Sequence, residues 1–270
     1  MTRISFSAPV IDLHTHVLPG IDDGPATIEG SVALVRAAAA TGTRVMVATP
    51  HVSWSYPNEA ATIARLTGEL NERLRREEIA VEIRAGAEIA MTRIEEIAPD
   101  ELERLHLGGG PWVLLEPPFT PLATGLERVV SALQSGGHRV VLAHPERCPA
   151  LHREPEIVES LVGSGVLTSV TAGSLVGRFG GEVRRFARLL FERGLVHNVT
   201  SDTHDADRRP PGMAGELGEA GLGELADWLT CAVPAAILAG ESVPSPPAVR
   251  LHSLRTRPWW RPARSLKRAL

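Results

Sequence analysis

Seven short apolar runs rich in Val and Ile, spaced by stretches of helical periodicity, restrict this chain to a small set of folds. The runs cover residues 10–13, 43–48, 81–87, 112–115, 139–143, 166–170 and 196–200. Helical spacing fills 28–40, 59–76, 126–134, 156–162 and 183–193, with glycine at 42, 136, 163 and 194 suited to helix C-termini. Strands and helices that alternate in this way build parallel βα units, which either close into a barrel or remain an open doubly wound sheet.

The ionisable residues decide between the two. Six of the seven runs end in, or lead directly into, a side chain able to bind a metal: His14 and His16, His51, Glu88, Glu116, His144, and Asp202 with His204. In a parallel barrel all strand ends share one face, where barrel enzymes assemble their sites. Asp23, on the loop after the first run, can fold over that face. A single histidine or glutamate at a strand end has an ordinary structural explanation; coincidence at six ends does not. His14 and His16 stand at i and i+2, so both point to one side of a strand. Asp12 falls in the same phase, deeper in the strand, where it suits an imidazole N–H better than a metal.

Imidazole and carboxylate without thiolate suit Mn²⁺, Fe²⁺ or Zn²⁺. Nine protein ligands divide among three ions with positions left open for substrate. Three divalent ions against the four carboxylates leave about two positive charges, an environment for dianions. Arg147 and Arg209, each a few residues past a candidate ligand, supply planar guanidinium forks for phosphate oxygens, with Arg208 as the alternative to Arg209. These features describe a metal-dependent phosphoesterase. Cys148 and Cys231 lack an arginine six positions on, so a cysteinyl-phosphate mechanism with a Cys-x5-Arg loop is not supported. His106, His138, His152, His197 and His252 are assigned structural or exposed positions.

The rest of the chain bounds this reading. A net charge of −4 gives no global attraction to nucleic acid, and no nucleic-acid partner is expected. Two cysteines and no long apolar run point to a cytoplasmic location without a membrane helix. Residues 1–242 are expected to form one barrel domain. Residues 243–270, rich in Pro and Arg and free of Asp and Glu, read as a flexible basic tail that could hold the protein beside an acidic membrane surface.

Ile11-Asp12-Leu13-His14-Thr15-His16, Asp22-Asp23-Gly24-Pro25 and Thr49-Pro50-His51 resemble the PHP superfamily. Ala-His-Pro-Glu-Arg at 143–147, Ser201-Asp202-Thr203-His204, Arg209-Pro210-Pro211 and Thr171-Ala172-Gly173-Ser174-Leu175 narrow the resemblance to the capsule-type bacterial protein-tyrosine phosphatases, the CpsB/CapC group. The resemblance spans about residues 10–240. It implies a distorted (β/α)7 barrel, up to three ions with Mn²⁺ foremost, and phosphotyrosine as substrate, on a tyrosine autokinase that governs capsule or exopolysaccharide export. It also implies that His14, His16, Asp23, His51, Glu88, Glu116, His144, Asp202 and His204 are ligands, and that Arg147 and Arg209 contact phosphate. The expected chemistry is attack on phosphorus by a hydroxide bridging two ions, with Asp202 and His204 in the catalytic constellation and His204 able to assist the leaving oxygen. A small-molecule phosphatase or phosphodiesterase acting on histidinol phosphate or nucleotides is the competing enzyme, and a silent phosphoprotein-binding module the competing non-enzyme.

Overall fold

The computed structural model describes residues 6, 8–122 and 124–248. Among these described residues there are nine strands: β1 (Val10–Thr15), β2 (Thr43–Ala48), β3 (His51–Val52), β4 (Glu82–Ala85), β5 (Glu88–Ala90), β6 (Trp112–Glu116), β7 (Arg139–Ala143), β8 (Leu167–Thr171) and β9 (Asn198–Thr200). All ladders between them are parallel, in two sheets ordered β1-β2-β4 and β3-β5-β6-β7-β8-β9. Two staves are broken: β3 continues β2 past Pro50, and β5 continues β4 past Gly86 and Ala87. Counted as staves the strands number seven. A parallel bridge from Thr15 to Thr203, with His16 N–H donating to the Thr203 carbonyl at 2.9 Å, joins the last stave to the first. The result is the expected distorted seven-stave barrel.

The two breaks have local causes. Proline has no N–H to give a ladder, so pairing lapses at Pro50 and resumes at His51. Gly86 lies so close to the neighbouring stave that a Cβ there would sit 2.8 Å from Val47 Cγ1.

Helices cover the outside: α1 (Ile28–Ala40), α2 (Ala60–Arg76), α3 (Pro99–Arg104), α4 (Leu126–Ser135), α5 (Pro149–Arg153), α6 (Glu156–Gly163), α7 (Ala172–Leu175), α8 (Gly181–Glu192), α9 (Ala214–Glu219) and α10 (Val233–Ala239). In α1 the Thr27 hydroxyl caps the Gly30 amide at 3.2 Å, while Val32, Val35 and Ala38 are buried. In α2 the buried side chains Ile63, Leu66, Leu70 and Leu74 follow the i, i+3, i+4 rhythm. Helix ends differ from the glycine reading at two places: the left-handed residues are Gly137 and Gly165, not Gly136 and Gly163, whereas Gly42 and Gly194 are left-handed as expected.

Alternation along the staves sorts the core into two layers. Leu13, Val47, Leu114 and Val141 belong to an inner cluster, while Met46, Ala48, Val113, Leu115, Val140 and Leu142 face the helices. Residues 243–247, expected to begin the tail, run beside Trp228, whose indole N–H donates to the Pro244 carbonyl at 2.9 Å. Residues 249–270, which carry the rest of the expected basic tail, lie outside the described residues. No helix among those described is long and apolar enough to cross a membrane.

Candidate metal centre

The centre begins with an irregularity in β1. Asp12 stands opposite Met46 and Thr15 opposite Ala48, so three steps of β1 match two of β2. The extra residue reverses the alternation. Asp12 therefore shares the side of Met46, while Thr15 shares that of Ala48 and leaves His14 and His16 aimed into the mouth. This corrects the placement of Asp12 in phase with the histidines: its Oδ1 accepts from the backbone amides of Ser201 at 3.1 Å and His14 at 3.4 Å, not from an imidazole. Burial raises its carboxyl to about 6.

His51 opens β3, Glu88 opens β5, Glu116 closes β6, His144 follows β7, and Asp202 and His204 follow β9. All nine expected ligands converge there. Glu88 Oε2 lies 3.0 Å from His51 Nδ1, 3.2 Å from His14 Nε2 and 3.3 Å from His16 Nε2, and Glu88 Oε1 lies 2.7 Å from His144 Nε2. Asp202 Oδ1 is 3.4 Å from His14 Nε2 and 3.5 Å from His16 Nε2. Asp23 Oδ1 is 3.2 Å from His204 Nε2 and 3.5 Å from His51 Nε2. Three groups are compact enough to hold an ion each: His16, Asp23, His51 and His204; His14, His16 and Glu88; and His51, Glu88 and Glu116. His144 and Asp202 stand outside those groups but contact Glu88 and the first histidine pair.

The arrangement is poorly satisfied without cations. His14 Nε2 and His16 Nε2 face each other at 3.2 Å, where at most one can donate. Glu88 Oε2, Asp202 Oδ1 and His204 Nε2 are buried with no hydrogen-bond partner among the described residues. Burial together with the charge of Glu88 pushes Glu116 up to about 8. Glu88 and Asp202 resist the upward push of burial: His14 and His144 hold Glu88 well below the carboxylate range, and His14, the nearby His16 and Arg209 do the same for Asp202. Burial lowers His144 to about 4 and also lowers His204. Against burial, the carboxylates of Asp202, Asp22 and Glu88 raise His16 well above the imidazole range, and Glu88 raises His51. Imidazoles and carboxylates crowded together in this way, with buried lone pairs left unpaired, fit divalent cations.

Both arginines reach the same atom. Asp202 Oδ2 accepts from Arg147 Nη1 at 2.7 Å and from Arg209 Nη2. Arg209 is thus the one of the two neighbouring arginines whose guanidinium reaches Asp202, while the Arg208 backbone amide donates to Asp205 Oδ1 at 2.6 Å. His204 Nδ1 donates to the Asp202 carbonyl at 3.0 Å. That tautomer leaves a lone pair at Nε2, a ligand atom without a proton to hand to a leaving oxygen. Two ligating positions also bend the backbone: His144 has φ 28° and Asp202 φ 52°, in the left-handed region.

Two supporting residues escaped sequence reasoning. Asp22 Oδ2 lies 2.7 Å from His16 Nδ1, and its Oδ1 accepts from Gly24 N at 2.9 Å. It orients the imidazole and fixes which nitrogen faces the cluster. Gly24 permits the close turn, since a Cβ there would lie 2.3 Å from the His16 carbonyl oxygen. The Asp-Asp doublet carried the signal but not which carboxylate does which. Glu146, between His144 and Arg147, is buried and accepts from Thr171 N at 2.9 Å and Ser174 Oγ at 2.7 Å, pinning the arginine's turn to the start of α7. The remaining described histidines have protein partners, as expected: His106 with Gly110 and His138, His152 with the Glu146 carbonyl, and His197 with Thr168 N.

Residues 10–218 match the family described as capsular polysaccharide synthesis, CpsB/CapC. The chain belongs to the CpsB/CapC family. Among CpsB/CapC relatives, the tyrosine-protein phosphatase YwqE of Bacillus subtilis is 36% identical over 203 residues, covering 74% of this chain and 79% of YwqE. The tyrosine-protein phosphatase CpsB of Streptococcus pneumoniae is 31% identical over 216 residues, 76% of this chain and 86% of that one. A crystal structure from the work on B. subtilis YwqE and S. pneumoniae CpsB, described as unique metal-dependent tyrosine phosphatases, superposes with a TM-score of 0.78 at 31% identity, over 87% of this chain and 98% of the other. The barrel alone is shared with a β-aspartyl dipeptidase of Fervidobacterium islandicum, at 12% identity and a TM-score of 0.52.

Proposed function

We propose that this CpsB/CapC protein is a metal-dependent protein-tyrosine phosphatase, a phosphoric monoester hydrolase whose substrate is phosphotyrosine on a bacterial tyrosine kinase of capsule or exopolysaccharide synthesis. The observation that carries the reading is the double use of Asp202. Its Oδ1 faces His14 and His16, and its Oδ2 takes both Arg147 and Arg209, so one carboxylate couples the candidate ligand cluster to an anion clamp. The YwqE and CpsB relatives support the phosphotyrosine assignment.

We assign His14, His16, Asp23, His51, Glu88, Glu116, His144, Asp202 and His204 to three divalent ions, Mn²⁺ ahead of Fe²⁺ or Zn²⁺. Bound there, such ions supply Lewis acidity at phosphoryl oxygens and make hydroxide available near neutral pH. The guanidinium forks of Arg147 and Arg209 turn from Asp202 toward the entering phosphoryl oxygens, fix its orientation and offset the charge that builds on it. Asp22 keeps His16 in one tautomer, and Glu146 keeps Arg147 at its height above the cluster. A tyrosine phenolate, with a pKa of about 10, leaves without a strong acid, in keeping with an unprotonated His204 Nε2. The two buried free thiols, Cys148 and Cys231, accord with a cytoplasmic protein.

The test is metal analysis of the purified protein followed by turnover of a phosphotyrosine peptide, histidinol phosphate and a dinucleotide, with and without chelator. Chelator-sensitive hydrolysis of the peptide in preference to the other two is expected. Arg147→Lys should lower peptide turnover about a hundredfold, because an ammonium lacks the planar fork. Preference for histidinol phosphate or the dinucleotide would replace this reading with the small-molecule one.

A further inference from the structure

Among the described residues, the large apolar side chains left exposed are Trp54, Phe119 and Leu122. All three stand on loops leaving the carboxyl ends of staves that bear candidate ligands: Trp54 after β3, Phe119 and Leu122 after β6. Scattered exposed apolar residues need no explanation, but their concentration at one rim marks a contact surface. Phe119 also reaches the centre itself. Its ring stacks on that of His144, with centroids 5.4 Å apart and planes at 21°, and the Arg147 guanidinium lies 5.0 Å from its centroid. Arg147 also lies 4.5 Å from the centroid of Phe179. In spite of these contacts 47% of Phe119 remains exposed.

We propose that Phe119 is the platform for the substrate's aromatic ring, and so the residue that sets preference for aryl over alkyl phosphate monoesters. The inference rests on the phosphatase reading above and deepens it. A phosphoryl group held by Arg147 beside the cluster must present its ester oxygen outward, toward the rim. In an aryl phosphate the ring is bonded directly to that oxygen, which sets it at the height of the side chains bordering Arg147 and His144, where Phe119 stands. An alkyl phosphate offers only a methylene at that height. Two aromatic rings attract at centroid separations of about 4.5–7 Å, offset or edge to face, a relation that an alkyl group cannot reproduce. The substrate ring would also cover apolar surface that the free protein leaves in water.

The competing role is purely supportive: Phe119 could serve only to hold Arg147, and its loss would then weaken every phosphoryl ligand alike. Calorimetric binding of phenylphosphonate and methylphosphonate to the full-length, cation-loaded protein separates the two. Phe119→Ala should weaken phenylphosphonate about tenfold more than methylphosphonate, and Phe119→Tyr should restore the ratio. The kcat/KM for a phosphotyrosine peptide should fall by a similar factor in Phe119→Ala, chiefly through KM. Equal weakening of both phosphonates, or no change in either, would overturn the platform. A wild-type protein unable to hydrolyse the peptide would defeat the phosphatase reading instead, so the two failures are told apart.

Discussion

The two ends of the barrel use the same residue type to opposite effect. At the closed end His106 is hydrogen-bonded through both ring nitrogens, to the Gly110 carbonyl at 2.9 Å and to His138 Nδ1 at 3.1 Å, and His197 Nδ1 accepts from Thr168 N at 3.1 Å. At the mouth His14 and His16 turn ring nitrogens toward each other, and His14 Nδ1, His144 Nδ1 and His204 Nε2 are buried without a partner among the described residues. Burial alone therefore does not distinguish a structural histidine from a functional one. Satisfaction does: a histidine whose hydrogen bonds the protein completes is part of the scaffold, and one it leaves open awaits something else.

The strongest challenge to that contrast is substitution at each end. Glu88→Ala or Asp202→Ala should lower turnover at least about a hundredfold and reduce metal content, since each removes a carboxylate that sets ion position and charge. His197→Ala at the closed end should instead cost about 1–3 kcal/mol of stability, by orphaning the Thr168 amide, with turnover per folded molecule little altered. Chemical denaturation alongside kinetics on both sets would break the comparison if His197→Ala proved inactive yet stable.

A smaller effect is expected at Asp22. Asp22→Asn keeps the shape of the side chain but gives up the charge facing His16 Nδ1, so metal affinity and activity should drop about ten- to a hundredfold. Titration of the metal-stripped variant with Mn²⁺ measures this. Unchanged affinity would reduce Asp22 to a turn-former for the loop through Gly24.

The smallest effect concerns proton balance. Burial raises Glu146 from an ordinary 4.5 to about 7. The folded protein then keeps a proton that the unfolded chain has released, so this residue's contribution to stability is greatest below about 4.5 and declines as pH rises toward 7. From that shift the decline amounts to on the order of 3 kcal/mol. Glu146→Gln retains an oxygen for Thr171 N and Ser174 Oγ without the ionisation. Its stability relative to wild type should improve across that interval, and parallel denaturation curves at pH 5 and pH 8 with a constant difference would contradict it.

The number of staves and the chain positions of the nine convergent residues were legible because both rest on local pattern: apolar runs give strands, and parallel strands bring their ends to one face. What was illegible depends on register. Asp12 was misread because strict alternation was assumed through a stretch of β1 that contains an extra residue, and nothing in Ile-Asp-Leu-His-Thr-His announces the slip. The division of labour between Asp22 and Asp23 depends on a turn at Gly24 tighter than a Cβ permits. Phe119 passed unnoticed because one aromatic on a Pro-Pro-Phe loop acquires meaning only from the side chains beside it.

The backbone at His144 and Asp202 carries a consequence of its own. Both hold positive φ, where glycine is at ease and a branched or bulky residue costs on the order of 1–2 kcal/mol. At these two positions natural drift has an energetic slope: a change to glycine relaxes the main chain while deleting a donor from the mouth. A chain with glycine at both bends would trade two of the nine candidate ligands for a more relaxed barrel.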